Sequence, residues 1–227
     1  MGLGGLGTVV KKLRSIRDVL AAVKDLGFLA WYPCEVPGGS VYERVPADFW
    51  EEIGPRCPWI WRYELVLDRG IAYGAFLNGK IALFSLDAFA DLANHRRDGL
   101  DFLTRCACRG IAEEDLRAME PFSGGEPVLA TDVPKKTGLA VPAARRALAR
   151  LQNDGYLVTH SFDDGTARGG KPKAMRTNFF ATPESVFGSF LPMRSPDESQ
   201  ARLAERLAKS FPRVSGSALE SVIGLRK

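Results

Sequence analysis

Apolar and polar positions along the chain switch between two periods, and the switches mark out elements. Ile16, Val19, Leu20, Val23 and Leu26 recur at helical spacing behind Ser15, predicting a capped helix that Gly27 ends. Phe28–Tyr32 reads as a short buried strand, Pro33–Ser40 as loop, and Pro46 as the opening of a short helix over 47–53 carrying Phe49 and Trp50. Gly54-Pro55-Arg56-Cys57-Pro58 breaks the chain. From Trp59 to Leu67 the period falls to two, with Trp59, Trp61, Tyr63 and Leu65 on one side, which predicts a strand. Ile71–Leu77 and Lys80–Ser85 flank Asn78-Gly79, the pair best suited to a two-residue hairpin turn. Three antiparallel strands are therefore expected, with Phe28–Tyr32 as a candidate fourth. Asp87 is read as the cap of a helix running through Ala93, and two more helices are placed around 100–108 and 113–119.

Further on, Thr131 is read as the N-cap of a short helix with Asp132 in its first turn. Gly138 ends that helix in left-handed backbone, and Leu139 follows as an apolar anchor. Pro142 suits the start of a longer helix in which Ala144, Leu148 and Leu151 form one stripe. Arg145, Arg146, Arg150 and Gln152 fall mostly off that stripe, and Asn153-Asp154-Gly155 is the stop. Tyr156–Phe162 reads as a strand, Asp163 to Gly170 as a loop, and Lys173–Thr182 as the returning strand. Two helices across a Gly-containing turn, followed by a hairpin, are the parts of a winged helix-turn-helix. The run 183–196 reads as loose chain, and Asp197 as the cap of a helix carrying Ala201, Leu203, Ala204, Leu207 and Ala208. The tail ends in Gly224-Leu225, an echo of Gly138-Leu139 that fits either an incomplete second helix-turn-helix or an ordinary helical hairpin.

The expected fold is α+β: a winged helix-turn-helix packed with an N-terminal α/β region that contains a small antiparallel sheet. The division read from the sequence is a disordered leader (1–12), an N-terminal α+β region with Trp-rich strands (13–110), the winged helix-turn-helix (111–187) and C-terminal helices (188–227).

Charge sharpens this picture. Between Thr131 and Arg176 stand nine Lys or Arg and four Asp, a balance of +5, whereas the whole chain carries +4. The basic excess is thus local, as on a phosphate-binding surface. The candidate DNA contacts are Lys135, Lys136, Arg145, Arg146, Arg150 and Gln152 on the helices, with Arg168, Lys171, Lys173 and Arg176 on the wing. The plainer alternative is a solvated helix face. Trp31, Trp50, Trp59 and Trp61 form a second candidate, an aromatic pocket that stacks a base or an aromatic ligand. A core cluster under the sheet is the plainer reading there too.

The remaining chemistry is sparse. The cysteines, Cys34, Cys57, Cys106 and Cys108, include no Cys-x-x-Cys, and His95 and His160 stand apart from them, so neither a metal site nor a disulfide framework is indicated. No cofactor motif is read. No apolar run reaches the roughly 18 residues of a membrane span, and the glycine-rich start does not resemble a secretory leader, so a cytoplasmic protein without membrane attachment is expected. No heptad run specifies a homodimer, which stays open.

Trp31-Tyr32-Pro33, Val36-Pro37, Trp59-x-Trp61 with Glu64-Leu65, Tyr73-Gly74, Ser85-Leu86 and the Thr131–Leu151 helix pair together resemble the bacterial AlkZ-related proteins. These belong to a wider winged-helix DNA-binding superfamily that includes the AlkZ-type alkylpurine DNA glycosylases. The resemblance covers the chain from about Ile16 onward and implies a winged-helix scaffold with double-stranded DNA as partner. It does not carry over catalysis. The glycosylases use a Gln-x-Gln element, and the glutamines here are Gln152 and Gln200. No catalytic residue is therefore assigned, although Glu64 and Asp68 stand near the tryptophans. The expected function is non-catalytic binding of duplex DNA, as in a transcriptional regulator. The alternatives are a DNA-repair protein related to those glycosylases, and a winged helix serving protein contacts beside a sheet that binds a small aromatic effector.

Overall fold

The computed structural model describes residues 11–52, 54–165 and 176–225. Helix α1 (Ile16–Leu26) begins where Ser15 accepts a hydrogen bond from the Asp18 N–H, and it buries Val19 and Val23 completely. Strand β1 (Phe28–Ala30) follows without an exposed position. Short helices α2 (Val41–Arg44) and α3 (Ala47–Glu51) lead to α4 (Pro58–Leu65), and strands β2 (Ile71–Leu77) and β3 (Lys80–Ser85) form the expected hairpin. The sheet order is β1-β3-β2, antiparallel throughout, with Phe28 opposite Phe84 and Tyr73 opposite Leu83.

The alternation from Trp59 to Leu67 does not make a strand. It lies on α4, which buries Pro58, Trp61, Arg62 and Leu65. Those positions are i, i+3, i+4 and i+7, so a helical stripe runs through the same residues as the two-residue alternation. Pro58 tips the balance, because proline fits the first helical turn, where its missing N–H costs nothing. Strand β1 takes the sheet position beside the hairpin.

Helix α5 (Leu86–Arg96) begins after Ser85 rather than at Asp87, which sits in the first turn and pairs with Arg206. Helices α6 (Phe102–Arg109) and α7 (Glu113–Met119), a 3-10 turn (Glu120–Phe122) and strand β4 (Val128–Leu129) come next. Helix α8 (Val133–Thr137) turns at Gly138, whose φ of 67° is the left-handed value expected there, into α9 (Val141–Asn153). Strands β5 (Val158–Phe162) and β6 (Asn178–Ala181) complete a second antiparallel sheet of order β4-β6-β5. The run expected to be loose contains α10 (Pro183–Phe187). Ser195, not Asp197, caps α11 (Pro196–Ser210) through a reciprocal capping box with Glu198. Helix α12 (Gly216–Val222) is last.

Two apolar cores result. The first joins Val19, Phe28, Phe84 and Phe89 to Leu203, Leu207, Leu219 and Ile223, so the C-terminal helices close over the N-terminal sheet. The second holds Phe122, Val133, Ala144, Ala147, Leu148, Leu151, Leu157 and Phe180, between α7–α9 and the second sheet.

Polar ties bind one core to the other. Arg96 donates to the Phe76 carbonyl at 2.8 Å, to the Ile223 carbonyl at 2.5 Å and to the Asn153 carbonyl. Arg97, fully buried, donates to the Gly155 carbonyl and to Glu184, and its guanidinium lies 4.5 Å from the Tyr156 ring centre. Gly155 has a φ of 82°, and a Cβ there would stand 3.0 Å from the Ala93 Cβ, so glycine permits both the turn and the close approach of α5. Arg97→Met keeps much of the apolar stem but removes the donors to Gly155 and Glu184. It is expected to cost about 3 kcal/mol of stability, read as a lower urea midpoint with an unchanged m-value. A shift under roughly 0.5 kcal/mol, the usual surface-substitution range, would contradict the bracing role.

Candidate nucleic-acid interface

The α8–α9 pair is held in place before any partner arrives. Thr131 was the expected cap of α8, but Asp132 takes the cap position without a side-chain cap bond and instead pairs with Lys135 at 2.8 Å. Thr137 closes the helix by donating to the Val133 carbonyl at 2.8 Å. On α9, Ala144, Ala147, Leu148 and Leu151 form the buried stripe, so Arg145, Arg146 and Arg150 emerge exposed.

The three arginines meet different surroundings. Helix α7 lies along one side of α9 with its acidic first turn outward. Arg150 donates through Nε to both Asp115 oxygens at 3.0 Å and through a terminal nitrogen to Glu114 at 3.1 Å. The Asp115 carboxylate holds the Arg150 pKa above its ordinary value; burial opposes the shift and Glu114 adds to it. Arg146 reaches Glu114 at 3.5 Å. Arg145 has no carboxylate partner among the described residues. It lines a cleft of 670 Å³ between α9 and β6, whose walls include Pro134, Ala144, Leu148, Arg176 and Asn178.

Gln152, expected near a groove edge, is turned inward. It is 6% exposed, accepts from the Ala75 N–H at 3.1 Å and donates to the Leu148 carbonyl at 3.3 Å. Asn153 beside it accepts from the Asn78 N–H at 3.2 Å. The C-terminal turn of α9 is therefore fastened to the first sheet, and Gln152, held in this way, also lines the cleft beside Arg145. Of the expected wing contacts, Arg168, Lys171 and Lys173 lie outside the described residues. Arg176 sits 4.3 Å above the Tyr63 ring on α4. Lys136 is exposed. His160 on β5 lies 3.2 Å from Arg69, and burial, then the Arg69 charge, push its pKa down.

The tryptophans do not share one face. On α4, Trp59 and Trp61 diverge by about 200°, given 3.6 residues per turn. Trp61 packs on Phe49 and donates to the Pro55 carbonyl at 2.8 Å. Trp31, Trp50 and Trp59 do gather, with ring centres 5.5–6.4 Å apart. Sequence reasoning missed Glu114 and Asp115 as partners of the arginines, Arg62 and Arg97 as buried cations, and Arg96 as a half-buried one. For Glu114 and Asp115 a signal existed: three consecutive acids, Glu113 to Asp115, open the helix just before the basic segment. Among the described residues no group of His, Cys, Asp or Glu could hold a metal, and no helix is long and apolar enough to cross a membrane.

The fold is thus a helical α+β chain on two small antiparallel sheets, with exposed cations beside a cleft. A family model described as AlkZ related matches residues 13–224, and the chain belongs to that family. No curated protein matches. Among solved structures, the Streptomyces sahachiroi DNA glycosylase AlkZ is similar, with a TM-score of 0.48 and 16% identity over 94% of this chain. The chain spans 60% of the length of that protein.

Gln152→Ala should lower stability by about 1–2 kcal/mol, because it strands the Ala75 N–H. It should leave the base preference in any DNA binding unaltered, as a parallel urea melt and competition against random duplex would show. A changed base preference at full stability would restore Gln152 to the reading surface.

Proposed function

We propose that this chain binds double-stranded DNA through a winged helix-turn-helix made of α8, α9 and the β5–β6 hairpin. Arg145 carries the reading: an unpaired cation on the second helix, over a cleft that Arg176 also lines. A phosphate there would meet guanidinium groups whose charge no carboxylate of the described chain has neutralised. Lys136 extends the cationic face along α8. Arg168, Lys171 and Lys173 add formal positive charge in the same stretch of sequence. Membership of the AlkZ-related family supports a DNA-interacting role.

Arg146 and Arg150 contribute differently. Their carboxylate partners must be exchanged for phosphates, and exposed pairs of this kind are worth about 0–1 kcal/mol each. The exchange is therefore cheap but not free, and Arg145 is the stronger contact. We take the role to be non-catalytic, as in transcription regulation.

A DNA-repair role is the second reading, and family membership favours it. The glutamine chemistry of the glycosylases does not transfer to this chain. Gln152 is fixed to Ala75 and Leu148, and Gln200 donates to the Leu225 carbonyl at 2.9 Å. A repair role would therefore use other groups, or recognise damage without cleaving the glycosidic bond.

One experiment orders the contacts. In fluorescence anisotropy with random duplex across a salt series, Arg145→Ala should weaken binding about tenfold and reduce the salt slope by about one. Arg146→Ala should weaken it less, and Glu114→Gln with Asp115→Asn should strengthen it roughly fivefold, the equivalent of about 1 kcal/mol released. Binding by Arg145→Ala equal to that of the wild type would remove this surface from consideration. Incubation with alkylated duplex tests the repair reading: no release of free base is expected, and release would make the chain an enzyme.

A further inference from the structure

Helix α6 buries none of its eight residues. Phe102 sets its ring edge-on to Tyr156 with centres 5.3 Å apart, but Leu103 beside it is 76% exposed. On α7, Leu116 is 44% exposed. Both leucines line one cavity of 770 Å³, backed by the buried Phe122 and Tyr156 and bounded by Met119 and the start of α10. A helix of this length is too short to hold by itself, and polar contacts fix it here. Asp101 caps it by accepting from the Thr104 N–H at 2.8 Å, and Arg105 donates to the Arg96 carbonyl at 2.8 Å. Leu103 thus adds nothing to either core and stands instead over an open apolar space.

The charged lining of that space has one sign. Asp101, Glu120 and Glu184 border it, and no Lys, Arg or His is among the described residues that do. In a chain of net charge +4, a purely acidic rim is not the average surface. Asp101 is engaged as the cap, and Glu184 reaches back to Arg97 while staying half exposed. Glu120 is exposed, and its carboxylate makes no hydrogen bond or ion pair with a described residue. Such a rim repels anions and gives a neutral apolar ligand nothing that the walls do not. A cation with an apolar body uses both features.

We propose that the cavity between α6 and α7 binds an amine cation with an aromatic body. The body displaces water from Leu103, Leu116 and Met119, and the methionine thioether favours contact with a ring. The ammonium sits at the rim, against Glu120 and Glu184. The volume falls within the roughly 300–1,000 Å³ of small-molecule sites. The cavity shares no lining residue with the cleft at Arg145, so the proposal does not depend on the DNA-binding reading.

The probes are 1-naphthylmethylamine, 1-naphthylmethanol and 1-naphthoate, which keep one ring system and carry positive, zero and negative charge. In calorimetry on the whole chain the amine should bind about tenfold more tightly than the alcohol, the yield of a few partly screened carboxylates, and the carboxylate should bind most weakly. Asp101→Asn combined with Glu120→Gln retains a helix cap, since Asn caps as well as Asp. That variant should cut the preference for amine over alcohol to about twofold. Leu116→Arg, at an exposed position, should abolish amine binding at an unchanged urea midpoint. Absence of amine binding overturns the proposal, and so does equal affinity for amine and alcohol, which would leave an unselective apolar groove. A full amine preference in the doubly neutralised variant, or amine binding kept by Leu116→Arg, would place the ligand elsewhere and overturn it as well.

Discussion

The architecture depends on two consecutive arginines at the end of α5, one half-buried and one fully buried, whose terminal nitrogens are held mainly by backbone carbonyls. Arg96 collects carbonyls from the hairpin, from the end of α9 and from the C-terminal helix; Arg97 takes Gly155 and Glu184. Burial lowers the Arg96 pKa to about 10, with Asp154 opposing the shift, so the group remains charged at neutral pH. That charge is tolerable because the last carbonyls of a helix have no partners of their own and carry partial negative charge. Arg96 thus caps α9 from outside. Apolar contact alone would let the two cores slide over each other, whereas fixed donors and acceptors set one orientation.

This orientation decides what α9 can present. Its last turn is taken up by the first sheet through Gln152 and Asn153, and one flank lies against the acids of α7. Arg145 is left facing the cleft. Charge summed along the sequence therefore overstates the field available to a polyanion, since Lys135, Arg146 and Arg150 have internal partners. It does not cancel that field. The pairs are exposed, water screens them, and a phosphate competes for the guanidinium on nearly equal terms.

Much of the architecture could be read from the residues alone. Asn78-Gly79 signalled its hairpin because few other pairs accept positive φ at both positions, and here they show 51° and 85°. Gly138 between two apolar stripes signalled the helix pair by the same logic. The α4 segment defeated the reading because Trp, Ile and Tyr favour strands, and alternation over a few residues cannot be told from a helical stripe. Pro58 and the 58-61-62-65 spacing were the better evidence. The site was legible only as a set of charges. Which arginine is free depends on α7, whose acids are more than thirty positions away in the chain. The inward turn of Gln152 depends on Ala75, 77 positions away. No local pattern encodes such partners.

A continuous line of stacked groups runs from the cleft into the aromatic cluster. Arg176, which lines the cleft, covers Tyr63; Tyr63 receives a hydrogen bond from Arg62; and Arg62 lies over Trp59. The electron-rich face of Tyr63 lowers the cost of holding Arg62 without a carboxylate. Because Arg176 draws on the same ring, and like charges on one ring oppose each other, the ring holds each cation less firmly than it would hold one alone.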